Sequence, residues 1–140
     1  MKLTGDAAHL PSHPVLSQED QEAVILRVAA QVGVPATFLA AVRIAEGGGL
    51  GREFGVLSEN APDYLTQALI TASSIRNNQY RYVKAHDGQW PTTPAGELSM
   101  EFIEFMASRW APSGAENDPT GLNKNWAGNV DHAYRNSGLA

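Results

Sequence analysis

Glu46 is the residue of this sequence whose position is best suited to chemistry. It ends an apolar segment and is followed directly by three glycines. Leu39, Val42 and Glu46 recur at i, i+3 and i+7, which places them on one face of a helix. Pro35 suits the first turn of such a helix, and Gly47 is typical of the residue just after its end. The pattern therefore predicts a short helix whose last residue turns a carboxyl group toward the core.

A carboxyl group in that position is suited to proton donation. The last turn lies at the negative end of the helix dipole, and apolar neighbours weaken the solvation of a charge, so both factors disfavour the ionised form. An acid that keeps its proton near neutral pH can act as a general acid. The glycines beyond Glu46 leave room for a bulky ligand. The simpler interpretation is a solvated glutamate before a flexible turn, and the pattern alone leaves both open.

Cleavage of a glycosidic bond is one reaction that such an acid could catalyse. The leaving oxygen needs a proton, and the positively charged sugar centre must be trapped on its other face. Glu53, seven residues beyond Glu46, is the nearest candidate for a second carboxyl group. A surface position beside Arg52 explains Glu53 at least as simply. Asp63 is better interpreted as an acid of a first helical turn.

Aromatic and amide side chains are frequent in the second half of the chain, as they are in clefts that bind polysaccharides. Core packing or helix capping is the competing explanation for each of them, above all for the two tryptophans that lie on helical stripes. The candidates for ligand contact are Tyr80, Tyr82, Trp90, Trp110, Asn117, Asn123, Asn125, Trp126 and Tyr134.

Other catalytic chemistries have weaker support. The four histidines are scattered and lack helical ligand spacing with an acid, so we predict neither a metal site nor a cofactor. The sequence has no Gly-x-Ser-x-Gly motif and no cysteine that could act as a nucleophile. The glycines at 47–51 lack the Lys-Ser/Thr of a phosphate-binding loop.

The composition indicates one globular domain. The chain has 140 residues, of which 43% are hydrophobic and 18% charged, which is enough apolar material for a core. A formal net charge of −5 argues against general binding to nucleic acids or anionic membranes. The first residues lack the apolar region of a secretory signal, and no apolar run is long enough to cross a membrane.

Periodicity predicts a mainly α domain with five helices and a very small extended or hairpin segment. Residues 1–16 are predicted to be a flexible leader, and residues 17–140 to be the domain. Ser17 and Ser99 are predicted N-caps. The predicted helices run from Ser17 to about Val32, from Pro35 to Glu46, from Pro62 to about Val83, from Ser99 to Pro112, and through Trp126 to Tyr134, with an extended segment at 52–58.

Several of these motifs resemble the lysozyme-like superfamily, in particular lytic transglycosylases and phage-type peptidoglycan hydrolases. The likeness covers residues 17–136. It is carried by Gly33-Val34-Pro35, Phe38-Leu39-Ala40-Ala41-Val42 and Glu46, by Phe54-Gly55-Val56-Leu57, and by Arg109-Trp110-Ala111-Pro112, Asn117-Asp118-Pro119, Leu122-Asn123, Trp126, Val130 and Tyr134.

This resemblance implies an α+β lysozyme-like fold packed around the helix that ends at Glu46. It also implies cleavage of the β-1,4 bond between N-acetylmuramic acid and N-acetylglucosamine, with Glu46 as general acid and base. Phe54, Leu57 and Ser58 would line the cleft. The family often has Ser where this chain has Gly47, and Met-Gln where it has Leu57-Ser58. Because the likeness is to enzymes with one acid, a lytic transglycosylase is slightly favoured over a hydrolytic muramidase.

The implied partner is a peptidoglycan glycan strand, in the periplasm or at the cell wall. Without a secretory signal, delivery would depend on a phage virion, on holin-type release or on a larger parent chain or secretion assembly. A non-catalytic glycan-binding or structural module of a phage tail or secretion machine is the alternative, and a helical protein-interaction module is a third.

Overall fold

The computed structural model describes residues 16–47, 53–55, 63–92, 97–110 and 125–136, and these parts of the chain are mainly helical. They form five helices, α1 (Gln18–Val32), α2 (Ala36–Glu46), α3 (Tyr64–Ala85), α4 (Met100–Trp110) and α5 (Trp126–Arg135). The prediction of a mainly α domain is confirmed. The described ranges contain an isolated bridge between Thr92 and Leu98 but no strand. Residues 1–15 of the predicted leader, and residues 52 and 56–58 of the predicted extended segment, lie outside the described residues.

Local side-chain chemistry sets the helix boundaries. The Ser17 hydroxyl accepts a hydrogen bond from the Asp20 backbone N–H at 3.1 Å, and the Ser99 hydroxyl accepts one from Phe102 N–H at 3.2 Å, as predicted for N-caps. Asp63 is also an N-cap, with its carboxylate 2.7 Å from the Thr66 nitrogen. This helix is predicted to start at Pro62 and to carry Asp63 in its first turn. It starts instead at Tyr64, directly after Asp63.

The buried side of α2 packs against several other helices. Phe38, Leu39 and Val42 are fully buried, and α2 contacts α1, α3 and α5. The Phe38 ring packs 6.0 Å from that of Phe102 in α4 and 5.3 Å from that of Tyr134 in α5. These aromatic contacts hold α4 and α5 on the same side of the domain, and both helices approach the carboxyl end of α2.

The helices differ from membrane spans in length or hydropathy. Within the described residues, no helix combines the length and the apolar character that crossing a bilayer requires.

Candidate functional site

Two indole groups hold the carboxylate of Glu46 at the end of α2. Trp110 Nε1 lies 2.9 Å and Trp126 Nε1 lies 2.8 Å from the same oxygen, Oε2. An indole N–H can only donate, so Oε2 accepts both hydrogen bonds. Oε1 receives neither of these two hydrogen bonds.

The two tryptophans reach Glu46 because of where their helices end. Trp110 is the last residue of α4 and Trp126 is the first residue of α5. They follow Glu46 by 64 and 80 residues in the sequence, so the packing of α4 and α5 alone brings them together. The sequence offers both as candidates for ligand contact, with core packing on helical stripes as the competing explanation. The structure gives them a different contact, in which their N–H groups orient the acid.

Gly55 packs directly against the carboxylate of Glu46. A Cβ atom added at Gly55 would overlap with Oε1 and with the carboxyl carbon of Glu46. Gly55 also has a φ of 76°, in the left-handed region that favours glycine. The half-buried acid is therefore held between two indoles and the bare backbone of Gly55, an arrangement that restricts its rotamer.

Side chains from α2 and α3 fix the turn that carries Gly55. Arg43 Nη1 donates to the Glu53 carbonyl at 3.3 Å, and the Phe54 backbone N–H donates to Gln67 Oε1 at 3.3 Å. Phe54 itself is fully buried, with its ring centroid 5.1 Å from that of Tyr64. The structure thus places Phe54 in the core, where it positions the turn, instead of on the wall of a cleft.

Glu53 lies in a buried polar cluster with Arg43 and Tyr64. It is only 6% exposed, in contrast to the surface position that its pairing with Arg52 suggests. The guanidinium of Arg43 lies 5.9 Å from the Tyr64 ring centroid, and the Arg43 side chain is partly buried, although the periodicity of α2 places it off the apolar face. A carboxylate that attacks a sugar or activates a water molecule must reach the ligand. The burial of Glu53 fits a structural role better.

The same cluster gives a prediction for alkaline stability. Burial, with a smaller contribution from Glu53, raises the pKa of Tyr64 from its usual 10 to about 12, although Arg43 opposes the change. The folded state therefore retains the phenol proton where the unfolded chain loses it. This stabilisation is complete below pH 10 and is lost as the pH rises from 10 to 12. The loss is of the order of 2 kcal/mol.

We expect the free energy of unfolding of Tyr64→Phe to fall less steeply than that of the wild type above pH 10. Urea unfolding at pH 8 to 11.5, followed by circular dichroism, measures this slope. Tyr80→Phe is the matched control, because Tyr80 is 52% exposed and its loss should leave the slope unchanged. Equal slopes for the wild type and Tyr64→Phe would contradict the assignment.

The remaining predicted contacts that the structure describes have other partners. Tyr82 is buried against Phe102 and Phe105. The Tyr134 hydroxyl accepts a hydrogen bond from the Leu98 backbone N–H at 3.1 Å. Tyr80 is exposed on α3, in a separate aromatic cluster. The predicted contacts at Leu57, Ser58, Asn117 and Asn123 lie outside the described residues.

Two further observations concern metal binding and a groove away from the Glu46 carboxylate. Within the described residues, no three His, Asp or Glu side chains are grouped so that they could hold a metal ion. A groove of about 430 Å³ lies between the last turn of α2 and the carboxyl-terminal half of α5, and sequence reasoning missed it. The signal was the recurrence of polar residues at i, i+3 and i+7 of α5. The lining residues are Ile44, Ala45, Asn129, His132, Ala133 and Asn136.

Comparisons of this chain with protein-family models, with curated proteins and with solved structures found no match. The geometry around Glu46 is therefore the observation that bears most directly on function.

Proposed function

We propose that this protein cleaves the glycan strand of peptidoglycan, at the β-1,4 bond between N-acetylmuramic acid and N-acetylglucosamine. Glu46 acts as general acid and then as general base, and the reaction is that of a lytic transglycosylase. The cell wall or periplasm is the place of action, and a virion, holin-type release or a larger assembly delivers the protein.

The contacts of Glu46 carry this proposal. Two indole donors on Oε2 fix the carboxylate in one orientation, and a positioned proton donor is what general-acid catalysis requires. Gly55 packs against Oε1 with bare backbone, so the carboxyl group is held from a second side. The lysozyme-like superfamily, which the motifs of this chain resemble, also has its catalytic glutamate at the end of a helix.

The proposed reaction uses one carboxyl group in two steps. Oε1 of Glu46 first gives its proton to the glycosidic oxygen, the bond from C1 to that oxygen breaks, and the shortened strand leaves as an alcohol. The 6-hydroxyl of the same muramic acid then attacks C1 and transfers its proton to Oε1. A bond between C1 and O6 forms, Glu46 returns to its protonated state, and no water is consumed.

The burial of Glu53 supports this mechanism over hydrolysis with two acids. A nucleophilic carboxylate would lie about 5–5.5 Å from the acid, and one that activates water about 6.5–9.5 Å, in both cases with access to the sugar. Glu53 is 6% exposed and belongs to the cluster with Arg43 and Tyr64. A single-acid reaction has no need of it in the cleft.

The products distinguish the two mechanisms. We expect mass spectrometry of digested cell walls to show 1,6-anhydro-muramic ends, with a mass lower by one water than hydrolysed ends. Glu53→Gln should produce the same ends, and its rate per folded molecule should be within about tenfold of the wild type, because general-acid catalysis by Glu46 is kept. Reducing ends, with a loss in Glu53→Gln as large as that in Glu46→Gln, would establish a hydrolase with two acids.

A non-catalytic glycan-binding or structural module is the second candidate. The two hydrogen bonds to Oε2 favour this candidate as well, because a carboxylate held in one orientation can serve as a fixed hydrogen-bond acceptor for a glycan. Tight binding of wall fragments by the wild type, without any new chain ends, would establish this alternative.

A further inference from the structure

A second, polar pocket lies where the end of α3, the loop after it and the start of α4 meet. Its volume is about 210 Å³, and its lining includes Tyr82, Gln89, Trp90, Thr92, Ser99 and Glu101. Sites for drug-sized ligands measure roughly 300–1,000 Å³, so this pocket matches a single small ring.

This pocket is separate from the site at Glu46. Glu101 lies in the first turn of α4, whereas Trp110, which contacts Glu46, is the last residue of that helix. With a rise of 1.5 Å per residue, the two positions are roughly 14 Å apart along the helix axis. A ligand in the pocket would therefore be remote from the reacting atoms.

The backbone around the pocket is fixed by hydrogen bonds. Ser99 N–H donates to the Pro91 carbonyl at 3.1 Å, and Thr92 and Leu98 form an antiparallel bridge. The Leu98 backbone N–H donates to the Tyr134 hydroxyl of α5 at 3.1 Å. A preformed rim lowers the entropic cost of binding a ligand.

Trp90, one of the residues that line the pocket, is an aromatic side chain that the fold covers only in part. Its side chain is 44% exposed. The Arg76 guanidinium lies 5.9 Å from its ring centroid and 4.7 Å from that of Tyr80, and Arg76 is itself anchored to the Gly33 carbonyl at 3.1 Å. An indole held in place in this way can stack with a ligand without first losing much conformational freedom.

The hydrogen-bonding groups around Trp90 select a neutral polyhydroxylated ligand. The Gln89 amide both donates and accepts, and the Glu101 carboxylate, which accepts from Tyr82 Oη at 3.4 Å, can also accept from hydroxyls. Glu101 disfavours anions, and none of the described lining residues is cationic. A sugar ring has an apolar face for the indole and hydroxyls at its edge for the polar groups.

We propose that this pocket binds one pyranose ring of a neutral saccharide, stacked on Trp90 and hydrogen-bonded to Gln89 and Glu101. The pocket would bind a glycan strand at a position remote from the bond that is cleaved. The saccharide class follows from the pocket, whereas the choice of N-acetylglucosamine as the sugar rests on the proposed function.

The test is a titration of ¹⁵N-labelled Glu46→Gln protein, which should not cleave its ligand, with the β-1,4 tetramer of N-acetylglucosamine. We expect saturable shifts of the Trp90 indole N–H and of the Gln89 and Thr92 amides. In the Glu46→Gln background, the second substitution Trp90→Ala should weaken binding of the tetramer roughly tenfold, which corresponds to about 1.4 kcal/mol. Trp90→Phe in the same background should retain most of the affinity. Ile70→Ala, which removes an exposed apolar side chain elsewhere on α3, is the matched control and should bind normally.

The outcomes separate this proposal from the proposed function. Shifts near Trp110 and Trp126 that persist in Trp90→Ala, without shifts in the pocket, would overturn the second site alone. Saturable binding of n-butylammonium but not of the tetramer would show a cation site and overturn the saccharide assignment. If Trp90→Ala does not fold, Gln89→Ala replaces it with the same expectation. Cleavage of cell walls by the wild type, measured separately, decides the proposed function.

Discussion

Glu46→Gln should abolish the clearing of purified cell walls while the protein remains folded. The amide oxygen of glutamine can accept the two indole hydrogen bonds that Oε2 now accepts, so the packing of Trp110 and Trp126 is preserved. What is lost is the transferable proton. General-acid catalysis contributes roughly 10²–10⁴-fold to a rate, and we expect a loss of that size.

The measurement is the fall in turbidity of a wall suspension, with thermal unfolding recorded on the same sample. Glu104→Gln is the matched control, because Glu104 is exposed on α4 and its removal changes the net charge equally. Wild-type clearing by Glu46→Gln would exclude Glu46 as the proton donor and leave the binding-module alternative. A simultaneous loss in Glu104→Gln would point to net charge as the cause.

Gly55→Ala should have the second largest effect, and it should reduce both activity and stability. The added methyl group would overlap with the carboxyl group of Glu46, so either the turn at 53–55 or the acid must move. A displacement of about 1 Å at a catalytic group can reduce a rate by roughly 10²-fold. Overpacking typically costs about 1–3 kcal/mol of unfolding free energy, in addition to the strain of a positive φ.

Gly88→Ala separates these two contributions. Gly88 has a φ of 84°, close to that of Gly55, but a methyl group there would have no neighbour within 4 Å. We therefore expect Gly88→Ala to lose stability through backbone strain alone and to keep wild-type clearing. The double variant Glu46→Ala/Gly55→Ala should recover part of the stability that Gly55→Ala loses, because the overlap is removed. Equal losses in the two glycine variants would rule out steric pressure on Glu46.

The sequence was most informative where the interactions are local. Ser17 and Ser99 cap helices as predicted because an N-cap needs only a side-chain oxygen and a backbone N–H three residues later. Gly47, with a φ of 56°, ends α2 just after Glu46 for an equally local reason. The mainly α class and the position of Glu46 at a helix end both follow from such features.

Asp63 and Arg43 show where the same reasoning was less accurate. A two-residue difference in the start of α3, Tyr64 instead of Pro62, changes Asp63 from a first-turn acid to a cap. The periodicity of α2 directs Arg43 away from its apolar face but cannot reveal that the turn at 53–55 and Tyr64 cover it. Burial by a segment distant in the sequence leaves no trace in the pattern of one helix.

The sequence by itself thus determined the helices, the caps at Ser17 and Ser99, and an acid at the end of α2. Tertiary structure decided what surrounds that acid, namely the indoles of Trp110 and Trp126 on Oε2 and Gly55 beside Oε1. It also decided that Glu53 is buried. The physical reason is that helix formation depends on hydrogen bonds and side chains within a few residues. The direction in which a side chain meets a distant element depends on how all the helices pack together.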